Sequence, residues 1–369
     1  MGKQVKTPRF YVDIPTFLHA TGRLDWDSDK GGAELLYMNP SNPYLSPTDE
    51  QVMFKIGETY TDIGQLTSFP INFIALLNHN LASDNNYFMV QGTRQLFEEN
   101  DNEGYDWETL TGTGPTYNCT SILNAEPGYS NNLNPSYNGS SIFSIHDGNG
   151  NPINDLWSSF FVKFNDGHDD YVHQLGSLVV GKYWDAPNSP DLSLTMSRRF
   201  DGIKKQKTIG GKTLANIYYD GPTEWTMNRT ETDIYKYPPF EFDLPSDIAS
   251  VGDFNARAKS GLGRKGLRSW NLTFSYISED DMWMDYESSN ILISSTASSG
   301  LSNPMLEDDS FNFVWNCTIG GTLPFIFTDD KDSDEPDRYA ICTFRSNTLS
   351  VKQVAFNTYS LSITIDEVA

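Results

Sequence analysis

Three segments of this chain alternate apolar and polar residues with a strict period of two, and no other feature restricts the fold as much. In SWNLTFSYI, Trp270, Leu272, Phe274 and Tyr276 alternate with Asn271, Thr273 and Ser275. In YSLSITIDEV, Tyr359, Leu361, Ile363 and Ile365 alternate with Ser360, Ser362 and Thr364. In LSLTMSRR, Leu192, Leu194 and Met196 alternate with Ser193, Thr195 and Ser197. Successive side chains of a strand point to opposite faces, so each segment predicts a strand with one face in a core and one in water. Three such strands imply a sandwich or barrel with one wet face. Trp270, Phe274, Leu361 and Ile363 are therefore expected in a single core.

The first half is patterned differently. FPINFIALLNHNLA is almost continuously apolar over residues 69–77, which suits a strand buried on both faces, closed by a polar turn at residues 78–80. NYFMVQGT, WSSFFVKF and LGSLVVGKYW supply further strands, and residues 98–155 read as acidic, Gly- and Asn-rich loops. RFYVDIP is a short strand candidate within an otherwise irregular stretch, read as an N-terminal arm over residues 1–45. DAPNSPDL carries two prolines and marks a break. A chain of 369 residues exceeds one small domain, so the break divides it into blocks 46–186 and 187–369. In the second block, residues 200–265 form a long insertion with few periodic runs, a kind of loop that is usually functional or ordered by a partner. SFNFVWNCTIGG fits a helical stripe and a strand alternation alike. A short helix is favoured, because Asp308 and Asp309 suit its start and Gly320-Gly321 its end.

Composition supports a mainly all-β class. Aromatic residues make up 13% of the chain, and Tyr, Asn, Ser, Gly and Thr are abundant where long helices would use Ala, Leu, Glu and Lys. The cysteines, Cys119, Cys317 and Cys342, are odd in number and lack ligand spacing, so reduced thiols are expected, with a Cys317–Cys342 bridge left open. The opening MGKQVKTPRF predicts no secretion leader, and no apolar run is long enough for a membrane-spanning helix, so no membrane partner is expected.

The formal net charge of −23 argues against nucleic acid as a partner. Two basic stretches interrupt it: Arg198, Arg199, Lys204, Lys205, Lys207 and Lys212, then Arg257, Lys259, Arg264, Lys265 and Arg268. Each is either a solvated loop or a contact with an acidic neighbouring subunit.

Motifs for nucleophilic, nucleotide or zinc chemistry are missing: there is no GxSxG, P-loop, HExxH or CxxC pair, so no catalytic residue or cofactor is assigned. His168 and His173 lack a third ligand for a metal. Alternating oxygens at Asp147, Asn149 and Asn151, and at Asp330, Asp332 and Asp334, are calcium candidates, although Ser158 and Ile341 stand where an EF-hand needs Glu and a polar turn is the simpler reading. Exposed Trp and Tyr would suit sugar stacking, which keeps a host-surface glycan among the candidate partners.

NFIALLNHNL, then LGSLVVGKYWDAPNSPDLSLTMSRRFDG, SWNLTFSYIS, GGTLPFIF, RYAICTF and VKQVAFNTYSLSITIDEV, in that order, resemble tail-associated virion proteins of tailed bacteriophages over roughly residues 60–369. The resemblance implies a galactose-binding-like jelly roll followed by a β-barrel or sandwich of the tail-tube and distal-tail type. It also implies a non-enzymatic role in the virion tail as a distal-tail, tail-tip or adaptor ring, with homo-oligomers and other tail proteins as partners and assembly in the host cytoplasm. Arg198, Arg199, Lys204, Lys205, Lys207, Lys212, Arg264 and Lys265 are then the expected subunit contacts. Distal-tail proteins more often carry the ring domain first, so the reversed order leaves the station in the tail open. The alternatives are a carbohydrate-binding adsorption module and a polysaccharide-degrading enzyme.

Overall fold

The computed structural model describes residues 5–27, 32–39 and 266–284, and the greater part of 44–217 and 301–368; residues 218–265 and 285–300 fall outside the described residues. Strands dominate and the helices are few and short, an all-β sandwich. An eleven-stranded antiparallel sheet joins strands from both sequence blocks. Its order is Thr195–Arg199, Leu267–Ser278, Thr358–Glu367, Tyr339–Phe344, Phe325–Thr328, Arg9–Asp13, Ser177–Asp185, Phe73–His79, Gly139–Asp147 and Tyr117–Leu123, with Val351–Ala355 added alongside Thr358–Glu367.

The N-terminal strand occupies the middle of that order. Arg9–Asp13 pairs with Ser177–Asp185 on one side, Phe10 opposite Trp184, and with Phe325–Thr328 on the other, Phe10 opposite Phe327. This corrects two expectations. The segment read as an arm is a buried central strand, and the Pro-rich break near residue 187 separates strands without separating sheets, because both blocks share one hydrogen-bonded ladder. The physical reason is aromatic burial. Phe10 packs against Trp184, Phe325 and Phe327 at centroid distances of 5.6, 5.7 and 5.2 Å, so one side chain draws residues from both blocks into one core. Gly181 permits the approach: a Cβ there would lie 2.0 Å from the Val12 carbonyl oxygen.

A second sheet, built mainly from Val52–Tyr60, Gln65–Pro70, Phe88–Thr93 and Ser159–Phe164, covers the first half. Phe69, Phe88, Val90, Phe160 and Val162 meet Ile74, Leu76, Phe143, Leu178 and Val180 in the core between the layers. The opposite face of the long sheet carries its own cluster around Tyr11, Phe73, Ala75, Leu77, Val179 and Tyr339. Burial on both faces accounts for the apolar run of the Phe73–His79 strand, which continues into the expected turn as far as buried His79.

In the second half, short helices pack on the long sheet among the described residues. Phe311–Cys317 is the helix favoured from sequence, and it buries Phe311, Phe313, Val314 and Cys317. Ser310 caps it, its hydroxyl accepting from the Asn312 amide at 3.2 Å. Asp308 and Asp309 serve differently: buried Lys182 donates to the Asp308 carbonyl at 2.9 Å and pairs with the Asp309 carboxylate, holding the helix approach against the sheet. The helix ends through three successive positive φ angles, 52° at Ile319, 61° at Gly320 and 83° at Gly321. All three cysteines are buried and none is in a disulfide.

The three alternating segments fare unequally. Leu267–Ser278 and Thr358–Glu367 pair with Trp270 opposite Ile365, Leu272 opposite Ile363 and Phe274 opposite Leu361, and these six side chains share the core. The third strand forms only over Thr195–Arg199, and all five of its residues are exposed. It is the last strand of the sheet, and no described element covers its apolar side, so Met196 stays exposed, while Leu192 sits in a turn and is 94% exposed.

Candidate assembly surface

The first basic stretch folds into two adjoining pieces. Arg198 and Arg199 lie on the edge strand Thr195–Arg199, both exposed. Beyond them, Ile203–Lys207 and Thr213–Ile217 form a hairpin that pairs with neither large sheet. Its turn is fixed locally. Thr208 N–H donates to the Lys212 carbonyl at 2.8 Å, Lys212 N–H donates to the Thr208 hydroxyl at 3.1 Å, and Gly211 takes φ +80°.

Hairpin pairing decides where the cations point. Lys205 lies opposite Ala215 and Lys207 opposite Thr213, so both ammonium groups rise from one face beside small neighbours. Lys205, Lys207 and Lys212 are exposed and have no acidic partner among the described residues, and Ile209 and Leu214 are exposed with them. The hairpin holds Lys204, Lys205, Lys207 and Lys212 and no Asp or Glu. A cluster of like charges with exposed apolar residues, on a ribbon detached from the sheets, is suited to an acidic docking partner.

The second basic stretch is only partly placed. Arg257, Lys259, Arg264 and Lys265 lie outside the described residues. Arg268 is no surface contact. Its Nε and Nη2 hold the two oxygens of buried Glu367 at 3.0 and 2.7 Å, and Nη2 also reaches the Tyr339 carbonyl. Beside this pair the Cys342 thiol is pushed well above its ordinary value, first by burial and then by Glu367.

The calcium candidates are engaged otherwise. Asp330 is buried, with Lys6 Nζ at 2.9 Å and Arg338 Nη1 at 3.7 Å, and its Oδ1 accepts the Asp332 amide at 3.3 Å. Asp147 turns its own loop, accepting from the Asn149 amide at 2.9 Å, while Asn151 lies outside the described residues. Among the described residues no group of three or more His, Cys, Asp or Glu is placed to hold a metal ion. His168 and His173 also lie outside them. Trp157, Trp184 and Trp270 are buried and Trp283 and Trp315 pack against the core, so these indoles offer no sugar platform. Among the described residues no helix is long and apolar enough to cross a membrane.

Several notable groups had no signal in the sequence. Asp13, buried at the end of the central strand, accepts from the Thr16 hydroxyl and from the Val180 amide at 3.4 Å. Burial nevertheless raises its carboxyl to about 7. Burial alone lowers His79 to about 3, so it stays neutral against Ser141, 3.0 Å away. Arg9 Nε and Nη2 grip Asp185 at 2.5 and 2.9 Å, and the guanidinium lies 3.9 Å from the Tyr183 ring centroid.

No family model and no curated protein matches this chain. Among solved structures it is similar to chitosan-binding module 1 of a chitosanase/glucanase from Paenibacillus sp. IK-5, at 11% identity over 43% of this chain and 93% of that one, with a TM-score of 0.24. A likeness at that score carries no conclusion about ligand or role.

Proposed function

We propose that this chain is a non-enzymatic structural component of a bacteriophage tail, built into a ring by contacts between copies. One observation carries the reading: a detached hairpin with four lysines and no acid, on a chain whose net charge is −23. Identical subunits with that charge repel one another unless opposite charges meet at their contacts. The hairpin supplies one sign and the remaining surface the other. Such a contact joins different patches on the two copies, and a heterologous contact of this kind closes into a ring when its rotation permits. The tail assignment adds the ordered resemblance of the strings from residue 60 onward. Negative-stain electron microscopy of the purified chain tests the reading directly. Closed rings of uniform diameter are expected; dispersed single copies at high protein concentration and low salt would contradict it.

A further inference from the structure

Tyr276 breaks the best alternation in the chain, and the break turns an aromatic ring out of the core. Trp270, Leu272 and Phe274 follow the inward row of their strand, and Tyr276 would be next. Instead the register shifts between Ser275 and Ile277, Ile277 takes the buried place, and Tyr276 sits at φ 78° with 74% of its surface exposed. A left-handed backbone is costly for a side chain of this size, and bulges commonly re-aim a side chain at a functional surface.

The outward row beside it is polar. Ser275 donates its hydroxyl to Asp191 Oδ2 at 2.7 Å, and the Asp191 amide donates to the Thr273 carbonyl at 2.7 Å, which anchors that carboxylate on the sheet next to the bulge. Asp191 Oδ1 has no hydrogen-bond partner among the described residues. Thr273 and Ser362 hydroxyls lie 3.1 Å apart across the strands, with Ser360 beyond them on the same face.

We infer that Tyr276, Asp191 and the Thr273–Ser362 hydroxyl row form a binding site for an uncharged glycan. A pyranose presents an apolar C–H face and a rim of hydroxyls. An exposed, rigid phenol suits the first, and an oriented carboxylate with neighbouring hydroxyls suits the second. Asp191 and the net charge of −23 disfavour uronates and nucleic acid, and a face lined with hydroxyls offers no cleft to an apolar peptide. The hairpin takes no part, so this site and the assembly reading stand or fall separately.

The test uses the full-length chain on a printed array of neutral hexose and N-acetylhexosamine oligosaccharides, with uronate oligosaccharides as the counter-set, followed by calorimetry on the best neutral ligand. The wild type is expected to bind at least one neutral glycan. Tyr276→Phe should keep the affinity within about threefold, Asp191→Asn should weaken it about tenfold, and Tyr276→Gly should weaken it by more than tenfold. Tyr276→Gly should also melt at a higher temperature, since glycine tolerates the left-handed backbone. That combination separates lost binding from lost folding. Absence of neutral-glycan binding by the wild type, preference for uronates, or undiminished binding by Tyr276→Gly would each overturn the inference.

Discussion

Gly181 and Asp13 show how little tolerance the central strand has at single positions. A methyl at position 181 would lie 2.0 Å from the Val12 carbonyl oxygen, and that carbonyl is backbone, which cannot swing aside. Gly181→Ala should therefore cost about 1–3 kcal/mol, read as a lower thermal midpoint. Asp13 gives a pH signature. Its carboxyl titrates near 3.8 in the unfolded chain and at about 7 in the folded one. Between those values the folded state keeps a proton that the unfolded state has released. Stability from this group thus falls as pH rises through the window and levels off above it, by on the order of 4 kcal/mol. Urea unfolding at pH 4, 5.5 and 7 should show this slope in the wild type and lose it in Asp13→Asn; parallel slopes would sink the assignment. Phe274→Ala, which empties a fully packed site opposite Leu361, should cost about 3–5 kcal/mol.

Among the elements, the N-terminal strand is the most consequential. Terminal segments usually fray, yet this one is hydrogen-bonded on both sides and carries Phe10 into an aromatic cluster. Its amides should be as protected in hydrogen exchange as those of Thr358–Glu367; exchange of a peptide covering residues 8–15 within seconds would contradict that placement. Such an element shows what a local reading can recover. RFYVDIP was visible as a strand, but no local pattern says which neighbours a strand will find, and its partners lie far away in sequence. Alternation placed Trp270, Phe274, Leu361 and Ile363 in one core because the period of their strands follows directly from burial on one face. It misled at Leu192 and Met196, since a sequence period encodes a face and not whether something covers it. It misled at Tyr276 because a bulge shifts the row by one residue without a Gly or Pro to mark it. The basic hairpin was legible as charge, and its detachment from the sheets was not. The Arg268–Glu367 pair was hidden altogether, since its partners are 99 residues apart.

At the scale of the whole molecule, one continuous sheet joins strands of the two sequence blocks, and the hairpin of residues 203–217 pairs with neither large sheet. Charge is the basis of the assembly claim, so assembly should weaken as salt screens the contacts; at about 0.5 M the screening length falls well below its ~8 Å physiological value. Sedimentation velocity of the wild type and of a Lys205→Glu, Lys207→Glu, Lys212→Glu variant, at low and high salt, tests the claim most directly. The wild type should sediment as a discrete oligomer at low salt and shift toward the single chain at high salt, and the charge-reversed variant should sediment as the single chain in both. A wild type that is a single chain throughout, or a variant that assembles as well as the wild type, would contradict the account.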